Sequence, residues 1–360
     1  MKSISSVDRR TFLAAGAAGL AAAGSLARAA DQGAARIRIG QIGVGHAHAS
    51  KLSVYRASPD YEVVGIVEPD EGLWQTAGSH AAYRGLPRIT EEQLLNTPGL
   101  QAVLVETRVR DSLEAAEACI AAGMHVHLDK PAGESLPQFE RILASAERQG
   151  LLVQMGYMYR YNPAIVLLKE VLERGWLGDV FEVHTVMSKV VAPAERRSLA
   201  EYSGGMMFEL GCHILDLVIG LLGEPDDVAA FNQQASTHDD ALLDNMLAVL
   251  RYPRAIATVK SSALEVEGGH RRHFVGCGSA GTFHIQPLDN PSARVALSEQ
   301  RGDYSAGYQD VVFPRYTRYI EDAADMARII RGEKEADYSY AHDLAVQRTL
   351  LRACQLPLDL

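Results

Sequence analysis

Three stretches carry residues whose types and spacing suit chemistry. In HVHLDKPAGES, residues 125–135, a short apolar run ends in an acid, a lysine and a proline. An ammonium at the mouth of a buried strand can hydrogen-bond a substrate hydroxyl or carbonyl oxygen. Burial would lower its pKa toward the range useful for moving a proton. Pro131 lacks an N–H and turns the chain out of the strand. In SGGMMFELGCHILDL, residues 203–217, Glu209, His213 and Asp216 recur at i, i+4 and i+7. That spacing places them on one helix face. An acid and an imidazole one turn apart can pass a proton or grip a polyol, and Asp216 reads as their structural partner. The third stretch is Gly43-x-Gly45-x-x-His48, with Glu68 one strand later. Gly43 permits a tight turn, and Gly45 lets a pyrophosphate approach backbone N–H groups. Glu68 is placed to accept hydrogen bonds from ribose hydroxyls and to repel a 2′-phosphate, which favours NAD while leaving NADP open. His46 and His48 lie in the turn itself and are candidate cofactor contacts. His48 stands where close helix–strand packing ordinarily wants Gly or Ala.

These residues need a scaffold, and the hydrophobic pattern supplies one. Apolar runs at Ile37–Ile42, near Val63–Val67, at Leu100–Thr107 and in MHVHLDKP alternate with helical patterns such as SLEAAEACIAAG and LPQFERILASAERQG. Alternation of this kind predicts βαβ units and a parallel sheet. Lys130 then lies at the carboxyl end of a strand, where such sheets bind ligands. After Pro163 the pattern changes. One helix is followed by strands around 180–190, 228–234, 245–252, 255–265, 273–277 and 282–286, with YPR and GSAG as hairpin turns. A helix over 207–222 interrupts them, and an amphipathic helix closes the chain. The predicted fold is α/β. An N-terminal dinucleotide-binding domain spans 36–157. An α+β domain with a large mixed, mostly antiparallel sheet spans 158–360.

Residues 1–29 have a different composition. Arg9 and Arg10 precede an uncharged Ala/Gly run, and Ala27-Arg28-Ala29 offers a small-x-small cleavage pattern. This resembles a twin-arginine export signal rather than a membrane anchor, and predicts a periplasmic protein. The formal charge of −10 and the absence of basic stripes argue against a nucleic-acid partner. The four cysteines are scattered without a C-x-x-C pair, so neither a zinc knuckle nor a disulfide framework is expected, and no metal is assigned. His125 and His127 read as structural strand residues. Arg196, Arg197 and Tyr202 read as a loop with solvated charge.

Taken together, GVGHAHA, HLDKPAGESL, GYMYRYNPA and SGGMMFELGCHILD resemble the Gfo/Idh/MocA family, whose members include glucose–fructose oxidoreductase and inositol dehydrogenase. The resemblance runs in order along nearly the whole chain after the signal. It implies an N-terminal Rossmann domain for NAD(P) and a C-terminal sheet that holds substrate and joins subunits into a homo-oligomer, a dimer or tetramer. It carries the catalytic-lysine role to Lys130, the acid–base histidine role to His213, and a partner-acid position to Glu209. It sets Tyr157 near the substrate cleft and Thr107 beside the cofactor. The loop after Thr107 departs from the family's T-P-N-x-x-H pattern: Arg108 and Arg110 stand there instead. The expected activity is hydride transfer between a tightly bound nicotinamide cofactor and a sugar, polyol or glycoside derivative. Its rivals are redox-neutral glycoside hydrolysis or elimination with transient cofactor use, and a non-enzymatic sugar or cofactor sensor.

Overall fold

The structure, a computed structural model, describes residues 35–359. The twin-arginine segment lies outside them. β1 (Ile37–Ile42), β2 (Tyr61–Val67), β3 (Leu100–Val105), β4 (His125–Leu128) and β5 (Val153–Met155) form a parallel sheet in the order β2-β1-β3-β4-β5. Most of their residues are buried on both faces of the sheet. The connecting helices carry their own end signals. Asp70 caps Glu71–Ala77 by accepting the Leu73 N–H. Ser135 caps Leu136–Gln149, which has Pro137 in its first turn and ends at Gly150 in a left-handed conformation. Because β1 has β2 on one side and β3 on the other, the chain reverses direction across the sheet at β1/β3. Crevices at such a reversal, outside the strands' carboxyl ends, are where open α/β sheets bind ligands.

The second sheet has eight strands: β6 (Val180–Ser188), β7 (Asp227–Gln233), β8 (Asn245–Arg251), β9 (Ile256–Ser262), β10 (His273–Gly278), β11 (Gly281–Ile285), β12 (Ser292–Leu297) and β13 (Gly307–Val312). Their order is β13-β12-β11-β10-β6-β9-β8-β7, antiparallel except for the β6/β9 pair. The expected α/β class with a mixed, mostly antiparallel second sheet is what the chain adopts. One face packs on the helix Cys212–Leu222, which in turn packs on Tyr340–Cys354. The other face is open.

Five elements differ from the sequence reading. β12 and β13 extend the sheet beyond residue 286, and Ile320–Ile330 forms a further helix. β13 escapes the pattern because it is an edge strand whose side chains are all exposed or half-buried. The segment read as a loop around Arg196 is the helix Pro193–Leu199. Arg196 is buried there and paired with Asp240 and Asp244 rather than solvated. The expected helix over 207–222 opens with a π-helical turn, Met207–Gly211, before the α-helix begins at Cys212.

Candidate functional site

β1 ends at Ile42 and the chain turns through Gly43, whose φ of +89° suits glycine. A Cβ there would come within 2.5 Å of the Thr107 backbone at the end of β3, so this close approach admits no side chain. Gly45 is similarly tight: a Cβ would lie 3.1 Å from Arg108 Cγ. Glu68 follows β2. Its carboxylate accepts the Val44 N–H and the Asp70 N–H, each at 2.9 Å, which ties the acid to the glycine turn. Between Gly43, Glu68, Asp70, Thr107 and Arg108 lies a cavity of about 370 Å³. A cradle that a Cβ would fill, with a carboxylate beside it, fits the adenosine half of a dinucleotide. Arg108 points along this cavity, paired with Asp111 at 3.0 Å and Asp70 at 3.6 Å. Arg110 instead pairs with Glu201 on the surface.

Lys130 leaves β4 through a cis peptide to Pro131 and is only 1% exposed. Its Nζ donates to the Glu209 carbonyl at 2.7 Å and lies 3.5 Å from the Glu209 carboxylate. The π-helical turn brings that carbonyl to the ammonium; such turns gather at functional sites. Burial pushes the Lys130 pKa down, but Glu209 and the neighbouring groups more than reverse it, and the net shift is upward. This corrects the expected lowering: here Lys130 is an ammonium and a hydrogen-bond donor. Glu209 is correspondingly held below the usual carboxylate range, burial being outweighed by Lys130.

His213 is 2% exposed, and its Nδ1 has no hydrogen-bond partner. Burial first, then Lys130 and His48, hold its pKa well below the ordinary value. It is a neutral imidazole, able to accept a proton. Tyr157 and Tyr159 present ring edges to it at 6.1 and 5.3 Å. Asp216, one turn on, binds Arg160 through both carboxylate oxygens and His342 at 3.0 Å, while Arg160 also reaches Asp343 at 2.6 Å. This buried network pins the histidine-bearing helix to the segment leaving β5 and to the last helix. Asp216 is therefore structural, as its place on the helix suggested.

His46 and His48 turn inward. His46 Nε2 lies 3.0 Å from the Lys130 carbonyl, and its Nδ1 lies 3.1 Å from Asp129. His48 Nδ1 lies 3.2 Å from Asp129, and its ring centroid is 5.9 Å from that of His213. Behind them is a cluster that sequence reasoning missed. The Lys51 ammonium donates to Asp129, contacts His127 at 2.9 Å and lies 3.0 Å from Glu106, with Gln154 holding the far side of His127. Burial drives the Glu106 pKa well up. Asp129 is driven well down, because His46, Lys51 and His48 overcome its burial. A signal for Glu106 did exist: it closes an apolar strand, as Glu68 and Lys130 do. Lys51 had none, since a lysine in an amphipathic stretch reads as surface. Donor atoms of His46, His48 and Asp129 lie close enough together to suit one metal ion, but the Lys51 ammonium already provides the cation against Asp129.

Comparison with known proteins agrees with this geometry. The profile described as "Oxidoreductase family, NAD-binding Rossmann fold" matches residues 37–157, and the GFO/IDH/MocA C-terminal domain profile matches 165–284. The chain is similar to the myo-inositol 2-dehydrogenase of Thermotoga maritima, 23% identical over 83% of this chain and 90% of that protein. It is 26% identical to the scyllo-inositol 2-dehydrogenase (NADP(+)) of Bacillus subtilis, over 52% of this chain and 53% of that one. Among solved structures, GenD2 from gentamicin A biosynthesis in complex with NAD superposes with a TM-score of 0.73 at 21% identity, covering 89% of this chain and 95% of that one. The sheet order, the glycine turn at the β1/β3 reversal and both profile matches lead to one assignment: the chain belongs to the Gfo/Idh/MocA family of oxidoreductases, with an NAD-binding Rossmann domain ahead of the family's C-terminal sheet domain.

Proposed function

We propose that this protein is a dehydrogenase that oxidises a CH–OH group of a polyol, sugar or glycoside derivative, with His213 as proton acceptor and Lys130 as oxyanion donor. The observation that carries the reading is that Lys130, at the end of β4, and the neutral His213 lie close enough to influence each other's charge, with His213 also beside His48 of the glycine turn. Gly43, Gly45, Glu68 and Thr107 would hold the cofactor, which supplies the hydride acceptor when bound. Lys130 orients the hydroxyl and stabilises charge on its oxygen. His213 takes the hydroxyl proton. Glu209 keeps Lys130 charged and aimed. Tyr157, edge-on to His213, would border the substrate. Glu68 and Asp70 at the ribose end favour NAD over NADP through repulsion of a 2′-phosphate.

We further infer export to the periplasm from Arg9 and Arg10, and slow release of a cofactor that this compartment would not replace. Among the described residues no helix is long and apolar enough to cross a membrane. The open face of the second sheet exposes Phe231, Ile256, Tyr308 and Val312, which supports a homo-oligomer formed through that face. The test is to purify the full chain, denature it and identify any released nucleotide. The protein is then assayed with NAD on myo-inositol, scyllo-inositol and common sugars at the nicotinamide absorbance. Oxidation of at least one of them with NAD is expected. Failure on all of them, with no nucleotide released and none bound, would overturn the reading.

A further inference from the structure

His48 occupies the third fingerprint position of the turn, which ordinarily carries no side chain, or only a methyl. Its ring does not point away from the cleft. Nδ1 is held by Asp129 Oδ1 at 3.2 Å, and the backbone N–H of His48 donates to His46 Nδ1, also at 3.2 Å. Asp129 is itself immobilised. It is buried, it accepts the Lys130 N–H at 2.7 Å on one oxygen, and it meets Lys51 and His46 on the other. A carboxylate in that state offers only acceptors, so the imidazole facing it must carry its proton on Nδ1. That leaves Nε2 as an acceptor. A carboxylate fixing an imidazole's tautomer through Nδ1 is also the orienting half of serine-protease triads.

The ring as a whole stands beside His213. The His48 ring lies 5.9 Å from His213 and 5.8 Å from Tyr319. The His48 side chain is 15% exposed, whereas His213 is 2% exposed. His48 thus stands between the buried histidine and solvent. Oxidation of an alcohol makes this position matter. The C–H electron pair goes to the oxidised nicotinamide, the O–H pair becomes the second C–O bond, and the released proton goes to His213. That proton must then leave a buried ring before the next turnover. Lys130 cannot take it, because it is already an ammonium.

We propose that His48, oriented by Asp129, is a second proton-carrying residue, which receives the proton from His213 through one water and delivers it to solvent. The proposal rests on the dehydrogenase reading above and adds a step to it. In this account the histidine in the glycine position is part of the reaction path, not a tolerated irregularity of the cofactor turn. Burial, working against Asp129, takes the His48 imidazole down to about 4, consistent with a carrier that sheds its proton quickly to neutral solvent.

Two measurements on the full chain loaded with NAD test it. The first needs no substrate. In ¹⁵N-histidine NMR spectra, with His48 assigned by its disappearance in His48→Gln, the neutral Nδ1–H tautomer is expected at neutral pH, and Asp129→Asn should shift it. A neutral Nε2–H tautomer or an imidazolium would overturn the proposal. The second uses myo-inositol and scyllo-inositol. His48→Gln should lower kcat about 10- to 100-fold while the KM and the NAD dissociation constant stay within about twofold. The substrate deuterium isotope effect should fall as the proton step becomes limiting, and free imidazole should restore turnover to His48→Gly. An unchanged kcat, or a loss fully explained by weaker NAD binding without imidazole rescue, would overturn it. A wild-type protein that oxidises neither inositol counts against the dehydrogenase reading for these polyols and not against the dyad, which the nitrogen shifts still decide.

Discussion

Replacing Asp322 with asparagine should stabilise the protein, and by an amount that grows with pH. Asp322 lies in the first turn of the helix Ile320–Ile330, is 3% exposed, and has no hydrogen-bond partner for Oδ2. Burial raises its pKa from the ordinary value to about 7, with Lys51 opposing. The folded state therefore keeps a proton that the unfolded chain sheds near pH 4. Between about pH 4 and 7 the native state binds more protons than the unfolded state, so stability falls as pH rises, by about 1.4 kcal/mol for each pH step of one. Across that window the loss has an upper limit of ~4 kcal/mol, and relaxation around the carboxylate brings the working figure to ~2–4 kcal/mol. The amide of the Asp322→Asn variant has no such proton to hold. Urea unfolding of both proteins at unit steps from pH 4 to 8 reads the difference through the midpoint at constant slope. The curves should lie closest at pH 4 and diverge up to pH 7. Curves that stay parallel across the whole range would refute the assignment of a raised pKa to Asp322.

Lys130→Ala should keep nucleotide affinity and lose ~10²–10⁴-fold in kcat, read at the nicotinamide absorbance on whichever polyol turns over. Glu209→Gln should be milder, and near wild-type turnover by the lysine variant would refute its role. Glu68→Ala should weaken NAD binding by ~1.5–3 kcal/mol, or roughly 10- to 100-fold, and narrow the gap to NADP, because it removes a charged acceptor and unclamps the Val44 N–H. Calorimetric titration with both nucleotides checks this, and unchanged affinities would show that the acid does not read the ribose. Asp216→Ala should cost ~3–5 kcal/mol, since it leaves the buried Arg160 with Asp343 as its remaining carboxylate partner. A melting temperature within a degree of wild type would contradict that.

Strand ends were the most legible part of the site. Glu68 and Lys130 were found because each interrupts an apolar run at the point where a parallel strand must leave the sheet, and the same logic applies to Glu106. Helical spacing located Glu209, His213 and Asp216. It could not anticipate the π-helical turn that turns the Glu209 carbonyl toward Lys130, because one extra residue in a turn leaves no mark in the side-chain pattern. Long-range charge pairs were illegible for a different reason. Arg196 finds Asp240 and Asp244 more than forty residues away, and Arg160 finds Asp343 at a separation of 183. Nothing local distinguishes such an arginine from a solvated one. The direction of the Lys130 pKa was missed on the same ground. Burial alone lowers a lysine pKa, and only the fold shows that Glu209 reverses it.

The departures from the dinucleotide fingerprint are coupled rather than independent. With His48 in place of a small residue, the chain after Gly45 forms a turn and a short 3₁₀ segment, Ala49–Lys51, before the α-helix starts at Leu52. Lys51 closes that segment and is buried, where it meets Glu106 and Asp129 just past the ends of β3 and β4. Without Lys51, the Asp129 charge would lose its ammonium partner in a dry interior, beside a Glu106 carboxyl that burial keeps protonated, and isolated buried charges are expensive. Without Asp129, Lys51 and His48 would lose their common acceptor. Each irregular residue is thus compensated by another, and the cluster that results backs directly onto Lys130 through the Asp129 carboxylate and the His46 ring. Restoring glycine at position 48 alone would not recreate an ordinary fingerprint. It would leave the Asp129 Oδ1 facing an empty space beside His213, with Lys51 still fixed behind it.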